Sequence, residues 1–416
     1  MQFDVIVLGA GIVGVSVALH LAKRGKAVAL VDRRGAGEET SHGNAGLIQK
    51  EGVAPHAFPQ GIGPLLAYAR NDRVDMHYHL SALPRIAPVL AQYWWHSRPE
   101  SYRRVMAAYA PFIAHSVSEH APLIEEAGAG HLIEKKGWYK LYRTEAALAA
   151  AAADARTLGD SFGVGHAVLA GDEMRRREPG LDARVIGAIH WTDPWSVKDP
   201  NGLTLCYLDL FQRLGGRFIS GDAMQLTERS SGAGWQLPSS EGPVEAGEVV
   251  VALGPWAGDL VSRFGYRLPL GVKRGYHMHY AQPDTQPLTN WVYDAERGYM
   301  LVPMLRGLRI TTGAEFALRD APPSPVQLPR AEAAAREIFP LGQPLDPAPW
   351  IGSRPTTPDM MPIIGPAPRH AGLWFAFGHA HHGLTLGPAT GRLVAEMMLG
   401  QTPFIDPTAF SPHRFL

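Results

Sequence analysis

Asp4-Val5-Ile6-Val7-Leu8-Gly9-Ala10-Gly11-Ile12-Val13-Gly14 decides how the rest of the chain is read. Residues 4–8 end in a short apolar run, the pattern of a strand covered on both faces. Gly9, Gly11 and Gly14 follow in a GxGxxG spacing. Ile12 to Arg24 is then apolar at helical intervals, with Gly25 as the stop. Lys26 to Asp32 is a second strand. Strand, turn, helix, strand is the start of a parallel βαβ sheet. In such a turn the first glycine permits the bend, the second lets a pyrophosphate approach the backbone, and the third lets helix and strand pack closely. The helix N-terminus, at Ile12 and Val13, then stabilises the phosphate charge. Asp32 lies 18 residues after Gly14, where a carboxylate hydrogen-bonds an adenosine ribose. Asp32 disfavours a 2′-phosphate, whereas Arg33 and Arg34 would accept one. The turn by itself leaves FAD, NAD and NADP open.

Composition sets the outer bounds. With 416 residues, two or three domains are expected. Lys+Arg and Asp+Glu are both 39, so the formal net charge is 0, which argues against nucleic acid as the main partner. Cys206 is the one cysteine, so an internal disulfide and a Cys-rich metal site are excluded, and Cys206 itself reads as a packing residue. No signal peptide is expected, since Gly9, Gly11 and Gly14 break the first apolar run. No stretch of about 20 apolar residues predicts a spanning helix. The expected location is cytoplasmic, with peripheral contact to the inner face of the membrane left open.

Further along, the pattern alternates. Aromatic-rich helical segments are expected around Leu65–Tyr68, Val89–Trp95 and Val105–Ala127. The Ala146–Ala155 run is expected to be helical, because alanine has the best propensity. Gly137–Tyr142 reads as a strand. Pro200–Leu214 reads as a helix capped by Asp199. Gly216–Ile219 and Glu248–Gly254 read as strands of the first domain resuming, and a last helix is expected from about Pro388. The fold class is therefore α/β with an α+β part: a Rossmann-like nucleotide domain (1–54, 183–268 and 345–416) interleaved with a mixed-sheet substrate domain (55–182 and 269–344).

Four further segments carry a resemblance. They are Glu39-Thr40-Ser41-His42-Gly43-Asn44-Ala45-Gly46-Leu47, Val250–Ala257, Gly352–Asp359 with Pro362–Gly365, and Gly378–Pro388. In this order they resemble the flavin-contacting segments of the D-amino acid oxidase/dehydrogenase superfamily, from residue 4 to about 398. The nearest likeness is to bacterial FAD-dependent D-amino acid dehydrogenases. The resemblance implies non-covalent FAD, held by the glycine turn and by Ser41, His42, Asn44, Ala45, Gly46, Leu47, Gly254, Trp256, Gly352, Arg354, Gly378, His379, Gly383, Leu384 and Thr385. Helices opening after Gly11, Ala45 and Thr385 are expected to face its charged groups. A histidine tether at His42 is disfavoured, because the family's tethering position holds Gly43 here.

The implied chemistry is oxidation of an amino acid by hydride transfer, which needs placement and electrostatics more than a strong base. A carboxylate is best gripped by arginine. Arg354, matching the arginine of the family's RP motif, is expected to hold it. Tyr276 and Tyr299, on strands expected to face the flavin, are preferred over Tyr293 as the assisting hydroxyl. Lys273 and Arg274 read as solvated. In the cluster His379, His381 and His382, one histidine, taken as His382, is expected near flavin or substrate. No Cys or acidic partners lie at zinc spacing, so no metal is expected. Trp94, Trp95 and Trp138 read as core or subunit contacts.

The expected activity is FAD-dependent oxidation of a D-amino acid or a cyclic secondary amino acid, such as a proline derivative, to the imino or keto acid. The expected electron acceptor is a quinone or another carrier. Homo-oligomer and partner subunits stay open. The main rival is the flavin subunit of a heteromeric amine or hydroxyproline dehydrogenase complex. A colourless NAD(P) enzyme and a non-catalytic binding protein are lesser rivals.

Overall fold

Val5, Ile6, Val7 and Leu8 are fully buried, so the strand Gln2–Leu8 lies inside a sheet covered on both faces. The computed structural model describes residues 1–229 and 232–416. Five strands run parallel in the order Arg217–Ser220, Val28–Asp32, Gln2–Leu8, Val244–Val251 and Leu373–Phe377. The far edge of Val244–Val251 serves two partners. Residues 244–246 pair antiparallel with Trp235–Leu237, and residues 249–251 pair with Leu373–Phe375. Ile363–Pro366 closes that end as an antiparallel edge.

Two helices cover the sheet beside the glycine turn. Ile12–Ala22 crosses Gly383–Met398 closely, because a Cβ on Gly391 would fall 2.5 Å from the Ser16 carbonyl oxygen. The second helix starts before Pro388, earlier than expected. Pro388 has no N–H for the Leu384 carbonyl, and His120 Nε2 takes that carbonyl at 2.8 Å. No helix opens after Ala45. Leu47–Ile48 is instead a short strand paired with Trp195–Val197, which also pairs with Ile133–Glu134. The Val105–Ala127 region forms two helices, Pro99–Ala114 and Ser116–Glu126. Glu145–Phe162 and Pro200–Arg213 are helices as expected, and the Asp199 carboxylate accepts from Gly202 N.

A second sheet, of mixed strand direction, completes the architecture. Its order is Met76–Tyr78, Ala314–Phe316, Gly271–Tyr280, Gly307–Thr311, Tyr299–Met304, Val292–Asp294, Trp138–Tyr142, Gly187–Trp191 and His166–Ala170. Trp350–Thr356 pairs antiparallel with Gly271–Tyr280 over seven residues. Gly187–Trp191 and Trp350–Thr356 thus sit in this sheet, although residues 183–268 and 345–416 read as nucleotide domain in the sequence. The chain crosses between the sheets inside both stretches. Trp94 and Trp95 are exposed rather than core, while Trp138 is buried. Cys206 packs against the first core. Among the described residues no helix is long and apolar enough to cross a membrane.

Candidate active site

The glycine turn is built by close approach. Gly9 has φ +101°, and a Cβ there would fall 2.5 Å from the Ala252 carbonyl oxygen. A Cβ on Gly14 would fall 1.8 Å from the Gly9 carbonyl oxygen. The first helix carries no side-chain cap of its own, and Ile12 N donates to Ser41 Oγ at 3.0 Å. Asp32 accepts from Ala10 N at 2.7 Å through Oδ2 and from Arg34 N at 3.0 Å through Oδ1. It pins the turn to the second strand and keeps further lone pairs for a ribose hydroxyl. Arg33 and Arg34 both lie near Glu39, at 3.8 and 2.9 Å. Arg33 also covers the Trp256 ring, 5.0 Å from its centroid. Both arginines are thus engaged with neighbouring side chains.

From this turn a continuous cavity of about 1370 Å³ runs to the second sheet. Its shape and donors fit FAD: a glycine cradle and helix N-terminus at one end, and at the other the loop Gly43-Asn44-Ala45 with the uncapped start of Gly383–Met398. The loop is rigidly held. Asn44 Oδ1 accepts from Gly46 N at 2.8 Å, Arg309 donates to the Asn44 carbonyl at 2.7 Å, and Trp291 Nε1 donates to the Ala45 carbonyl at 2.7 Å.

Most expected flavin contacts line the cavity: Gly9, Gly11, Ile12, Val13, Asp32, Arg33, Arg34, Ser41, Asn44, Ala45, Leu47, Gly254, Trp256, Gly352, Arg354, Gly378, His379, Gly383 and Leu384. Gly14, His42, Gly46 and Thr385 stand behind the wall instead. Gly14 serves helix–strand packing. His42 turns away, with its ring centroid 5.8 Å from that of Trp350. Gly46 has φ +76° and would place a Cβ 2.2 Å from the Val197 carbonyl oxygen. Thr385 donates to the Leu47 carbonyl at 3.1 Å and accepts from Gln49 N at 3.2 Å, tying the last helix to the loop.

At the second sheet Arg354 is drawn into the cavity wall. Its guanidinium lies over Gly275, where a Cβ would meet Nη2 at 2.5 Å, and Nη1 donates to the Gly313 carbonyl at 3.1 Å. Burial lowers its pKa, and among the described residues no carboxylate pairs with it. Lys273 stands opposite Arg354 in the strand register. Its Nζ lies 4.0 Å from the Tyr93 ring centroid. Burial, and then the charge of Arg354, push its pKa down to about 7. Neither Lys273 nor Arg274 is solvated as the sequence suggested. Arg274 is 1% exposed and donates to Glu315 at 2.6 Å.

Tyr276 and Tyr299 border the cavity, but their hydroxyls are committed elsewhere. Tyr276 Oη donates to Glu315 at 3.0 Å and accepts from Ser324 N at 2.7 Å. Tyr299 packs with Leu301 and Tyr139 in the outer core, its hydroxyl 3.5 Å from the Arg143 that pairs with Asp294. Tyr293 also lines the cavity, and burial raises its pKa.

His382 stands at the N-cap position of the last helix without a side-chain capping bond, and its Nδ1 lies 2.8 Å from Tyr109 Oη. Its buried Nε2 has no partner, and burial lowers its pKa to about 3, so the ring is neutral. His381 sits between His382 and His56, at ring centroid distances of 3.8 and 4.5 Å. Glu51 was missed in the sequence. Its Oε1 accepts from Trp138 Nε1 at 2.8 Å and Gln49 Nε2 at 2.9 Å, while its buried Oε2 has no partner. Burial raises its pKa to about 7, so this carboxyl can exchange a proton near neutrality. Outside the cavity's end, ligand atoms of His77, His79 and Glu315 come within 4.8 Å of one another. The Glu315 oxygens there already accept from Arg274, Tyr276 and Ser324.

Known proteins share this architecture. A family model described as FAD dependent oxidoreductase matches residues 4–397. A D-amino-acid oxidase of Bradyrhizobium diazoefficiens is 30% identical, with 99% of each chain covered. A D-amino acid dehydrogenase of Chromohalobacter salexigens is also 30% identical over 99% of each chain. The crystal structure of glycine oxidase from Geobacillus kaustophilus superposes with a TM-score of 0.74 at 24% identity, covering 100% of this chain and 99% of that one.

Proposed function

The chain belongs to the FAD-dependent oxidoreductase family, and from that premise we propose that it oxidises the α-carbon–nitrogen bond of an amino acid to the imine. The substrate is a D-amino acid or a cyclic secondary amino acid such as a proline derivative. The two relatives named above, an oxidase and a dehydrogenase of D-amino acids, support this reading. FAD, when bound, supplies the hydride acceptor at N5. The imine hydrolyses to a keto acid and ammonia, or stays cyclic for a proline-like substrate. The electrons pass on to a quinone or another carrier.

One observation carries the proposal. Arg354 is a guanidinium without a carboxylate partner among the described residues, in the same cavity as the dinucleotide turn. A half-buried cation without a counterion is costly, and a ligand carboxylate supplies one. The planar fork grips a carboxylate through two hydrogen bonds and so fixes the orientation of the α-carbon. Gly275 leaves the room for that fork, and the Gly313 carbonyl holds its other edge. His382, held neutral by burial, and the first turn of Gly383–Met398 line the same cavity.

Arg354→Ala tests this. Loss of two charge-assisted hydrogen bonds predicts a KM about a hundredfold higher. FAD content per protein, read by absorbance, should stay at the wild-type level. An unchanged KM with normal flavin content removes Arg354 as the carboxylate anchor.

A further inference from the structure

Lys273 is a second cation without a counterion in the same pocket. Its pKa is lowered by burial and by Arg354, and no carboxylate offsets either effect among the described residues. The register sets Lys273 directly opposite Arg354 on the neighbouring strand. The two side chains then part. The Arg354 guanidinium runs toward Gly275 and the Gly313 carbonyl. The Lys273 ammonium goes the other way, to the faces of Tyr93 and Phe316, at 4.0 and 5.7 Å from their centroids. Residues two apart on one strand face are separated by about 7 Å, so the two heads address different points of the cavity. Aromatic faces attract an ammonium but do not neutralise it.

Resting on the proposed function, we infer that the pocket takes an amino dicarboxylate: the α-carboxylate on Arg354 and a second carboxylate on Lys273. The groups around Lys273 fit that assignment. Tyr93 donates its hydroxyl to the His56 carbonyl, which fixes the ring beneath the ammonium. His56 and His381 lie against each other at a tilt, 4.5 Å between ring centroids, and are held neutral by burial, His56 with a pKa of about 4. Neither histidine brings a negative charge, so the second anion comes from the ligand. A neutral side chain at this point offers the ammonium no counterion, so the pocket gains less from it than from a carboxylate.

The test uses the FAD-loaded protein with an artificial quinone-like dye as acceptor. Both enantiomers of aspartate and glutamate place the second carboxylate on the side chain, and iminodiacetate places it on the nitrogen substituent. Asparagine, glutamine and alanine are the uncharged comparators. The expected result is a kcat/KM for one acidic group at least about tenfold above its uncharged comparator. That ratio should fall about tenfold or more in Lys273→Met and recover in Lys273→Arg. Titration with succinate or glutarate, which cannot react, should perturb the flavin spectrum in the wild type and much less in Lys273→Met. Flavin content and thermal unfolding verify that the variants fold.

A ratio unchanged by Lys273→Met overturns the inference, because Lys273 then does not read the second carboxylate. A wild type that prefers the uncharged comparators overturns it too, while leaving the proposed function standing. Failure of every amino acid to reduce the flavin removes the proposed function, and this inference with it.

Discussion

Glu51 shows how burial sets chemistry at a single residue. Its ordinary pKa of 4.5 is raised to about 7, first by desolvation, against the hydrogen bonds from Gln49 and Trp138. The folded state therefore holds the proton more tightly than the unfolded chain. Stability from this group is full below about pH 4.5 and is lost as the pH rises through about 7. The shift corresponds to about 3 kcal/mol at alkaline pH. Glu51→Gln removes the charge while keeping the amide oxygen for Trp138. It should melt higher than the wild type at pH 8 and show no gain at pH 4.5, by thermal unfolding; equal melting temperatures at pH 8 would contradict the burial argument. The sequence marked Arg354, because a motif of Gly, Arg and Pro carries it. It did not mark Glu51 or Lys273, whose surroundings come from segments distant in the chain: Trp138 for one, Tyr93 and Arg354 for the other. Tyr276 and Tyr299 were placed on strands correctly, but strand position does not tell which partner a hydroxyl finds.

At the scale of elements, the strand–turn–helix at residues 2–22 was legible because three independent signals agree there: apolar run, glycine spacing and helical period. Gly9 ties them together, with a positive φ and a Cβ position only 2.5 Å from the Ala252 oxygen. Gly9→Ala forces the turn away from the Val244–Val251 strand. Purified Gly9→Ala protein should carry little or no FAD and lack the flavin absorbance band, whereas a yellow protein of normal flavin content would show that the turn tolerates the methyl group. The loop after Ala45 was misread because glycine-rich sequence fits several turns. What makes it a strand is pairing with Trp195–Val197, where Leu47 meets Ser196, 149 residues away in the chain (196 − 47). The last helix starts five residues before Pro388 (388 − 383) because His120, on another helix, satisfies the carbonyl that proline leaves open. Such long-range rescue leaves no local trace.

Across the whole molecule, two sheets share one cavity, and the chain passes between them several times. Sheet membership was harder to read than strand existence, as Gly187–Trp191 and Trp350–Thr356 show. Trp350–Thr356 carries Arg354 on the second sheet while the Gly378–Leu384 segment reaches the start of the last helix, and both line the one cavity. The proposed function requires an amino acid and FAD to occupy that cavity together. Anaerobic titration of the purified protein tests this directly. Amino acids of both configurations, prolines and amino dicarboxylates are added while the oxidised-flavin band near ~450 nm is followed, a property of the cofactor itself. The account predicts a yellow protein whose band is bleached by amino acids, and far less readily after Arg354→Ala. A colourless protein that takes up no added FAD, or a yellow one that no amino acid bleaches, would contradict it.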